Sequence, residues 1–236
     1  MNVAGVVAAL AAEARALGPA ARGGEGYDLL ADGTLIAISG IGYASALNAA
    51  QRLIDAGATA LVSWGMAGGL DPGLAAGDVC LPREVISADG IRFVTAQHWR
   101  ETLSARVATH RTVVSGNLLT SIRPIESVAA KQAARVKTGA AAVDMESSAV
   151  AQAAQAHGLP FIAVRVIVDA AGDALPRAVA QASRSGHVQT GRLLLGVLKS
   201  PAQIAPLARL ARRYRIAMRS LLEIAGTGIV MPAARA

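Results

Sequence analysis

Cysteine is nearly absent from this chain of 236 residues, which contains only Cys80. One thiol can form neither an intramolecular disulfide nor a thiolate zinc site, and such a composition is typical of a reducing cytosol. The four histidines lie far apart without metal-ligand spacing, so we expect no metal and no other cofactor. They are His98, His110, His157 and His187.

Long apolar runs are also absent. No stretch reaches the roughly 18 residues that a membrane-spanning helix needs, and Arg165 interrupts the strongest candidate, residues 161–168. The amino terminus lacks the basic start of a secretory signal and reaches Glu13 before its apolar run could serve as one. We therefore expect a cytoplasmic protein that does not cross a membrane.

Charged residues make up only 17% of the chain and are unevenly distributed. Residues 1–173 carry 13 Lys and Arg against 15 Asp and Glu, whereas residues 174–236 carry 10 against 1. A basic tail favours a polyanionic partner, either nucleic acid or an anionic membrane surface. Nucleic-acid binding usually uses exposed aromatic residues, and the tail has only Tyr214. We expect no nucleic-acid partner and keep peripheral contact with the inner membrane face as a hypothesis.

Apolar runs alternate along the chain with Ala-rich segments of helical character. We predict strands at 3–10, 34–39, 60–64, 112–115 and 161–168, and helices following residue 10 and at 43–56 and 145–157. This alternation predicts a three-layer α/β/α domain with a mixed, mostly parallel sheet. We expect one domain over residues 1–236, with a core of about 1–173 and a helical basic tail of about 174–236.

The tail contains an amphipathic helix at 204–224. Its apolar side carries Leu207, Leu210, Tyr214, Met218 and Leu221, and its other side carries Arg209, Arg212, Arg213 and Arg219. The pattern fits a last helix that packs its apolar stripe on the domain and leaves a solvated basic face. It also fits a helix whose apolar residues enter a membrane interface while the arginines meet anionic headgroups.

Two glycine-rich segments follow predicted strands. Gly40-Ile41-Gly42 is a weak match to a dinucleotide-binding turn, because Ser45 replaces the third glycine and the later acidic residue is missing. Its backbone N–H groups suit an anion, a sugar hydroxyl or a water, although a tight turn without a ligand explains it too. The cluster from Gly65 to Leu70 follows a strand directly, so we expect a loop that forms the floor of a pocket.

Acidic residues occur where predicted strands end. Glu13 follows the first strand, Asp144 and Glu146 begin an Ala-rich helix, and Asp169 follows an apolar run that should favour its protonated form. A neutral carboxyl can donate a proton while an ionised one activates water. Each acid alone is more often a surface residue or a helix cap, and we interpret Asp144 in that way.

Together these segments resemble the superfamily of purine nucleoside phosphorylases and methylthioadenosine/adenosylhomocysteine nucleosidases. The similar motifs are Glu13, Ser39–Gly42, Gly65–Leu70 with Gly77–Val79, Val143–Glu146 and Val164–Asp169, in the family's order over about residues 1–173. The basic tail, with 191–195 and the arginine-rich 207–219, further resembles the hopanoid-associated phosphorylase branch. That branch is implicated in removing adenine from adenosylhopane.

The resemblance implies a role for each residue of the site. Asp169 would protonate N7 of the purine and Glu13 would orient or deprotonate the attacking water. Glu146 would accept hydrogen bonds from the ribose hydroxyls and Met145 would pack on the sugar. The other implied substrate-binding residues are Gly40, Gly42, Met66, Ala67, Gly68, Leu119 and Val143. A homo-oligomer, first of all a dimer, is implied as well.

The chain departs from the family's pattern at two places. Ser63 and Met66 stand where the phosphorylases have a phosphate-binding arginine and serine, which favours hydrolysis over phosphorolysis. If phosphate is used, Arg22 and Arg165 are the candidates for its binding. The base-stacking aromatic is replaced by Leu118 or Leu119, and Asn117 stands where an acid is common, so apolar packing would hold the purine.

The sequence therefore predicts an N-glycosidase that releases adenine from a 5′-substituted adenosine, first of all adenosylhopane, with water or phosphate as the co-substrate. One alternative is a methylthioadenosine/adenosylhomocysteine nucleosidase or a purine nucleoside phosphorylase. A non-enzymatic alternative is a nucleoside- or lipid-binding module. Glu13, Glu146 and Asp169 argue against a module, because binding alone requires no proton donor beside the base.

Overall fold

A computed structural model describes residues 3–175 and 204–229. The strands are β1 (Ala4–Ala8), β2 (Ala20–Gly24), β3 (Tyr27–Leu30), β4 (Leu35–Ile38), β5 (Ala60–Gly69), β6 (Val79–Cys80), β7 (Glu84–Ile86), β8 (Arg92–Val94), β9 (Val113–Val114), β10 (Asn117–Thr120), β11 (Ala140–Asp144) and β12 (Phe161–Asp169). The helices are α1 (Ala11–Arg15), α2 (Tyr43–Asp55), α3 (Gln97–Val107), α4 (Val128–Thr138), α5 (Ser147–Ala156) and α6 (Ile204–Gly226).

The strands form one mixed sheet. Its main path runs β2-β3-β4-β1-β5-β11-β10-β7-β8, and β12 pairs with β5 and β6, while β6 also pairs with β9. The central strands β4, β1, β5 and β12 are mutually parallel. Every residue of β1 is buried, and so is nearly all of β12, because helices cover both faces. The predicted α/β architecture with a mixed, mostly parallel sheet is confirmed.

The glycine cluster at residues 65–69 is not the loop that the sequence predicted. It continues β5, which pairs in parallel with β12 as far as Gly68, with a register shift after Ala67, and pairs antiparallel with β11 through Gly68 and Gly69. Backbone hydrogen bonds to two successive partners satisfy the segment, and glycine lets the strand pass close to its neighbours. The predicted strand at 60–64 therefore extends five residues further.

Helix α6 packs its apolar stripe on the sheet. Ala217, Leu221 and Ile224 are fully or almost fully buried in the core cluster that contains strand residues of β12, and Met218 packs against the same cluster. The prediction that Met218 and Leu221 enter a membrane interface is therefore wrong, because the same side chains already fill the core. Among the described helices, none is long and apolar enough to span a membrane.

Candidate active site

A cavity of about 340 Å³ opens where β1, β5 and β12 end. Ligands bind at this edge of α/β sheets because the strands point their carboxyl ends and the following loops toward it. Its lining residues are Ala9, Leu10, Glu13, Ile41, Met66, Ala67, Gly68, Ser121, Pro124, Ile125, Lys131, Val143, Asp144, Met145, Glu146, Val168, Asp169, Leu175, Leu210 and Tyr214.

Most of the residues that the sequence selected lie in this cavity. The eight that line it are Glu13, Met66, Ala67, Gly68, Val143, Met145, Glu146 and Asp169. Three selected residues do not line it: Gly40, Gly42 and Leu119. Gly42 lies just behind the wall, where Ile41 faces the cavity, and Leu119 packs beside Val143 in a small apolar cluster. Residues far apart in sequence thus meet because the neighbouring parallel strands β1, β5 and β12 end at one edge, where the end of β11 also lies.

Glu13 is fixed by backbone donors from two elements. Its Oε1 accepts a hydrogen bond from Met66 N–H at 2.9 Å, and its Oε2 accepts one from Leu10 N–H at 3.0 Å. Burial raises the pKa of Glu13 above its ordinary value, and the positive charge of Arg165 and these N–H groups oppose that shift. The carboxyl is therefore held at the cavity wall by two backbone donors, with its pKa raised above the ordinary value.

The close approach of Gly65 makes room for this arrangement. A Cβ atom on Gly65 would lie 2.7 Å from Glu13 Oε1 and 2.8 Å from Arg165 Nη1. The φ angle of Gly65 is also positive, at 151°, which favours glycine. Glycine at this position is thus required both by the backbone and by the carboxylate that the backbone must pass.

Glu146 occupies the start of α5 and closes the turn after β4. Its Oε1 accepts a hydrogen bond from Gly42 N–H at 2.8 Å. The backbone donor that the sequence assigned to a ligand is therefore used by a carboxylate that itself lines the cavity. Burial and the neighbouring Asp144 raise the pKa of Glu146 to about 7, with Arg165 acting in the opposite direction.

Asp144 is buried, which corrects its interpretation as a surface residue. It accepts a hydrogen bond from Ser147 N–H at 3.1 Å at the start of α5, as a capping residue does, but its main partner is Arg165. Arg165 Nε lies 2.8 Å from Asp144 Oδ2. Arg165 Nη2 also donates to Ser63 Oγ at 2.7 Å and to Ser147 Oγ at 3.1 Å.

This network bears on phosphate binding. Arg165 is 2% exposed and its guanidinium is engaged by Asp144 and two serine hydroxyls. Ser63 is fully buried in the same network, and Arg22 lies on the exposed strand β2 outside the cavity wall. Of the described residues, the cationic side chain that lines the cavity is Lys131, beside four carboxylates. The described wall therefore offers a phosphate dianion no cation that is free of a carboxylate partner.

Asp169 ends β12 and forms a buried ion pair with Lys131 of α4. Lys131 Nζ donates to Asp169 Oδ2 and also to the carbonyl oxygen of Ala170, at 2.8 Å. Burial raises the pKa of Asp169 above its ordinary value, and the charge of Lys131 opposes that shift. The sequence predicted the burial but missed Lys131, whose one local signal is its place between alanine pairs in an amphipathic helix.

The apolar part of the wall also differs from the prediction. Leu118 is fully buried in the main core and Asn117 borders a separate cavity, so neither lines the candidate site. Pro124 and Ile125, from the loop after β10, lie at the cavity instead. The resemblance assigned base packing to Leu118 or Leu119, after the predicted strand at 112–115, whereas the structure places both residues within β10 and apolar residues of the site on the loop that follows it.

Helix α6 completes the cavity with Leu210 and Tyr214. The sequence placed both residues on the apolar side of the helix but gave them no part in the site. Near them, Arg213 Nη2 lies 2.8 Å from Asp173 Oδ1 and so links α6 to the segment after β12. The helix that carries the basic face is therefore also a wall of the candidate site.

This arrangement can perform acid–base chemistry on a small polar ligand. Two carboxyl groups with raised pKa values, Glu13 and Asp169, border one cavity with Glu146. Such groups can act as proton donors or acceptors, and a wall rich in carboxylates stabilises positive charge that develops on a ligand. Within the described residues, no group of three His, Cys, Asp or Glu side chains is arranged to hold a metal ion.

Comparison with known proteins agrees with the fold. A 5′-methylthioadenosine/S-adenosylhomocysteine nucleosidase from Colwellia psychrerythraea is 29% identical, over 71% of this chain and 80% of that protein. The solved nucleosidase of the same name from Neisseria meningitidis, in complex with methylthio-immucillin-A, superposes with a TM-score of 0.67 at 22% identity, over 95% and 98% of the two chains. Futalosine hydrolase of Helicobacter pylori has a TM-score of 0.65 at 17% identity, over 92% and 97%.

The family comparison covers most of the sequence. Residues 27–199 match the family described as the phosphorylase superfamily. With the nucleosidase relative, this match confirms two predictions, the superfamily itself and an enzyme that cleaves nucleosides. The alternative of a non-enzymatic binding module is thereby set aside. The chain belongs to the phosphorylase superfamily.

Proposed function

We propose that this enzyme releases adenine from a 5′-substituted adenosine by hydrolysis of the C1′–N9 bond. The observation that supports the proposal most strongly is the meeting of Glu13, Glu146 and Asp169 in one cavity. These are the three carboxyl groups to which such a reaction assigns separate tasks. The nucleosidase relative from Colwellia psychrerythraea supports the same reaction class.

The chemistry divides between the two faces of the sugar. Asp169 gives its proton to N7, and the protonated base takes up the electron pair of the breaking C1′–N9 bond at N9 and leaves as neutral adenine. Positive charge develops on the ribose, and the carboxylates of the cavity stabilise it. A water held by Glu13 attacks C1′ and passes a proton to that carboxylate, while Glu146 holds the ribose hydroxyls and Met145 packs on the ring.

Water is the proposed co-substrate. Arg165 is buried and paired with Asp144, and Ser63 and Met66 of β5 supply no cation. The remaining cation of the described wall, Lys131, is engaged by Asp169. A bidentate guanidinium clamp of the kind that suits phosphate is therefore missing from the described part of the site. Phosphorolysis is the alternative to hydrolysis, and the experiment described below distinguishes the two reactions.

The first proposed substrate is adenosylhopane, whose 5′ substituent is the apolar hopanoid chain, and the alternative is methylthioadenosine or adenosylhomocysteine. Leu175, Leu210 and Tyr214 supply apolar surface to the cavity from outside the strand ends. The resemblance of the basic tail supports the hopanoid substrate, and the nucleosidase relative supports the alternative.

A lipid-tailed substrate would bring the enzyme to a membrane surface. With the apolar stripe of α6 packed inward, the proposed contact relies on the exposed arginines Arg209, Arg212 and Arg219. Replacing these three with Glu should abolish sedimentation with anionic liposomes and preserve activity on soluble methylthioadenosine. Unchanged sedimentation would contradict membrane contact by this face.

The organisation of the chain as one domain over residues 1–236 stays a prediction. Its assembly into a homo-oligomer, first of all a dimer, stays a prediction as well.

The proposed reaction is tested by measuring adenine release from adenosylhopane and from methylthioadenosine, each with and without phosphate. Hydrolysis predicts a free ribosyl product and a rate that does not depend on phosphate. A 1-phosphate product with saturation by phosphate would establish phosphorolysis instead. Glu13→Gln should lose activity, whereas the control Glu84→Gln, which changes an exposed ion pair with Arg92, should retain it.

A further inference from the structure

We propose that Lys131 is a positioning residue for the acid of this site, and that it sets the strength and the orientation of Asp169. This inference rests on the proposed function, in which Asp169 protonates the leaving base. Lys131 belongs to α4, 38 positions before Asp169 in the sequence, and its side chain crosses to the end of β12.

The contacts of Lys131 are specific. Its side chain is 1% exposed, and Nζ donates both to Asp169 Oδ2 and to the carbonyl oxygen of Ala170. An ammonium group is rarely buried without a counter-ion, because its desolvation is costly. Lys131 and Asp169 both line the cavity, so this pair is at the site itself and not in the distant core.

The pair has a chemical consequence for proton transfer. Burial favours the protonated form of Asp169, whereas the ammonium stabilises the carboxylate that remains after the proton has gone to N7. A general acid works best when its pKa lies near the working pH, which requires these two influences together. The hydrogen bond to Oδ2 also fixes the carboxyl group and leaves Oδ1 for the base.

Other charged groups near Asp169 are balanced against each other. Asp173, after β12, raises the pKa of Asp169, and Arg213, from α6, lowers it. Asp173 and Arg213 form their own ion pair, with side chains 23% and 30% exposed. Lys131 is nearly fully buried and contacts Asp169 directly, so solvent screens its charge less than it screens the charges of Asp173 and Arg213.

The test uses Lys131→Gln, which keeps a hydrogen-bond donor without the charge, and Lys131→Arg, which keeps the charge. Lys137→Gln, on the exposed side of the same helix, is the matched control. Profiles of kcat/KM against pH are measured for the release of adenine from methylthioadenosine. The same variants are measured on 4-nitrophenyl riboside, whose leaving group departs without being protonated.

We expect Lys131→Gln to reduce kcat/KM for the nucleoside about tenfold or more, because Asp169 becomes a weaker acid. Its basic limb should move upward by about one pH unit or more, since the opposite charge that lowered the pKa is gone. Activity on the nitrophenyl riboside should stay within about twofold of the wild type. Lys131→Arg should keep the basic limb of the wild type, and Lys137→Gln should match the wild type throughout.

Two results would overturn the inference: a basic limb in Lys131→Gln that coincides with that of the wild type, or an equal loss on both substrates. If the Gln variant does not fold, Lys131→Arg decides, because a limb displaced despite the retained charge also overturns the proposal. A wild-type enzyme that releases no adenine overturns the proposed function and this inference with it. An active wild type with any of the former results refutes the role of Lys131 alone.

Discussion

Arg165 and Asp144 form a buried ion pair beneath the cavity, with Nη2 and Oδ2 2.7 Å apart and both side chains at most 2% exposed. The pair joins β12 to the end of β11, and through Ser63 it also reaches β5. It supports the cavity from below, because Glu13 and Glu146 both experience the charge of Arg165. The positive charge of Arg165 therefore lowers the pKa values of two proposed site residues, Glu13 and Glu146, while its ion pair holds the strand ends together.

Removing Arg165 should strongly destabilise the protein. Arg165→Met leaves Asp144 buried without its counter-ion, and breaking such a pair costs about 3–5 kcal/mol. Urea unfolding should show this loss in the free energy of unfolding. The control Arg135→Met breaks the half-exposed pair with Asp71 and should cost about 1 kcal/mol or less. Equal losses for the two variants would contradict the importance of the buried pair.

Replacing Asp169 with Asn should remove the proposed proton donor, and it should also lower the free energy of unfolding, because Lys131 then stays buried without its counter-ion. A general acid contributes about 10²–10⁴-fold, so kcat for adenine release should fall by that factor. Asp71→Asn, a surface carboxyl outside the cavity wall, serves as the control and should keep its rate. Near-native turnover by Asp169→Asn on adenosine substrates would exclude Asp169 as the acid.

As the pH rises and Glu146 ionises, the free energy of unfolding should fall, whereas the hydrogen bonds from the ribose to Glu146 should strengthen. Its pKa of about 7 lies above that of an unfolded chain, so ionisation costs folding free energy as the pH rises from about 4.5 through 7. Glu146→Gln should therefore raise the stability above pH 7, by about 1–3 kcal/mol, and leave it nearly unchanged at pH 4. Thermal unfolding at pH 4 and pH 8 measures the difference; the same gain at both values would refute it.

The same variant tests the ribose contact. Glu146→Gln should weaken kcat/KM for methylthioadenosine, because the ionised carboxylate accepts hydrogen bonds from the sugar hydroxyls more strongly than an amide does. The penalty should shrink on a substrate without the 2′-hydroxyl. An equal penalty on both substrates would indicate damage to the site rather than a lost contact with the ribose.

Gly65 should tolerate no side chain. Gly65→Ala places a Cβ atom 2.7 Å from Glu13 Oε1, so Glu13 must move, and we expect a loss of kcat/KM of about 10²-fold together with reduced stability. Gly90 is the matched control, since its φ of 91° is also positive but a Cβ there meets nothing within 4 Å. Gly90→Ala should cost only the backbone strain, about 1–2 kcal/mol, and preserve activity. Similar kinetics of the two variants would exclude the clash.

The sequence alone determined the parts of this protein that depend on local pattern. Apolar runs that end in an acid placed Asp169 at the end of a strand, because a strand buried on both faces must be apolar throughout and can become polar only at its edge. The same reasoning put Glu13 just after β1, and the three-to-four spacing found α6 within two residues of its observed end.

Only the tertiary structure decided which of these groups meet and what they do to each other. Nothing near Asp169 in the sequence announces Lys131, and Arg165 looked like a candidate for phosphate until Asp144 was found beside it. The glycine cluster is part of a strand because β11 and β12 both form backbone hydrogen bonds with it, and a local sequence pattern does not reveal such long-range pairing. Long-range pairing and desolvation depend on distances between segments that are remote in sequence. The ion-pair partners and the pKa shifts of the site residues therefore follow from the fold.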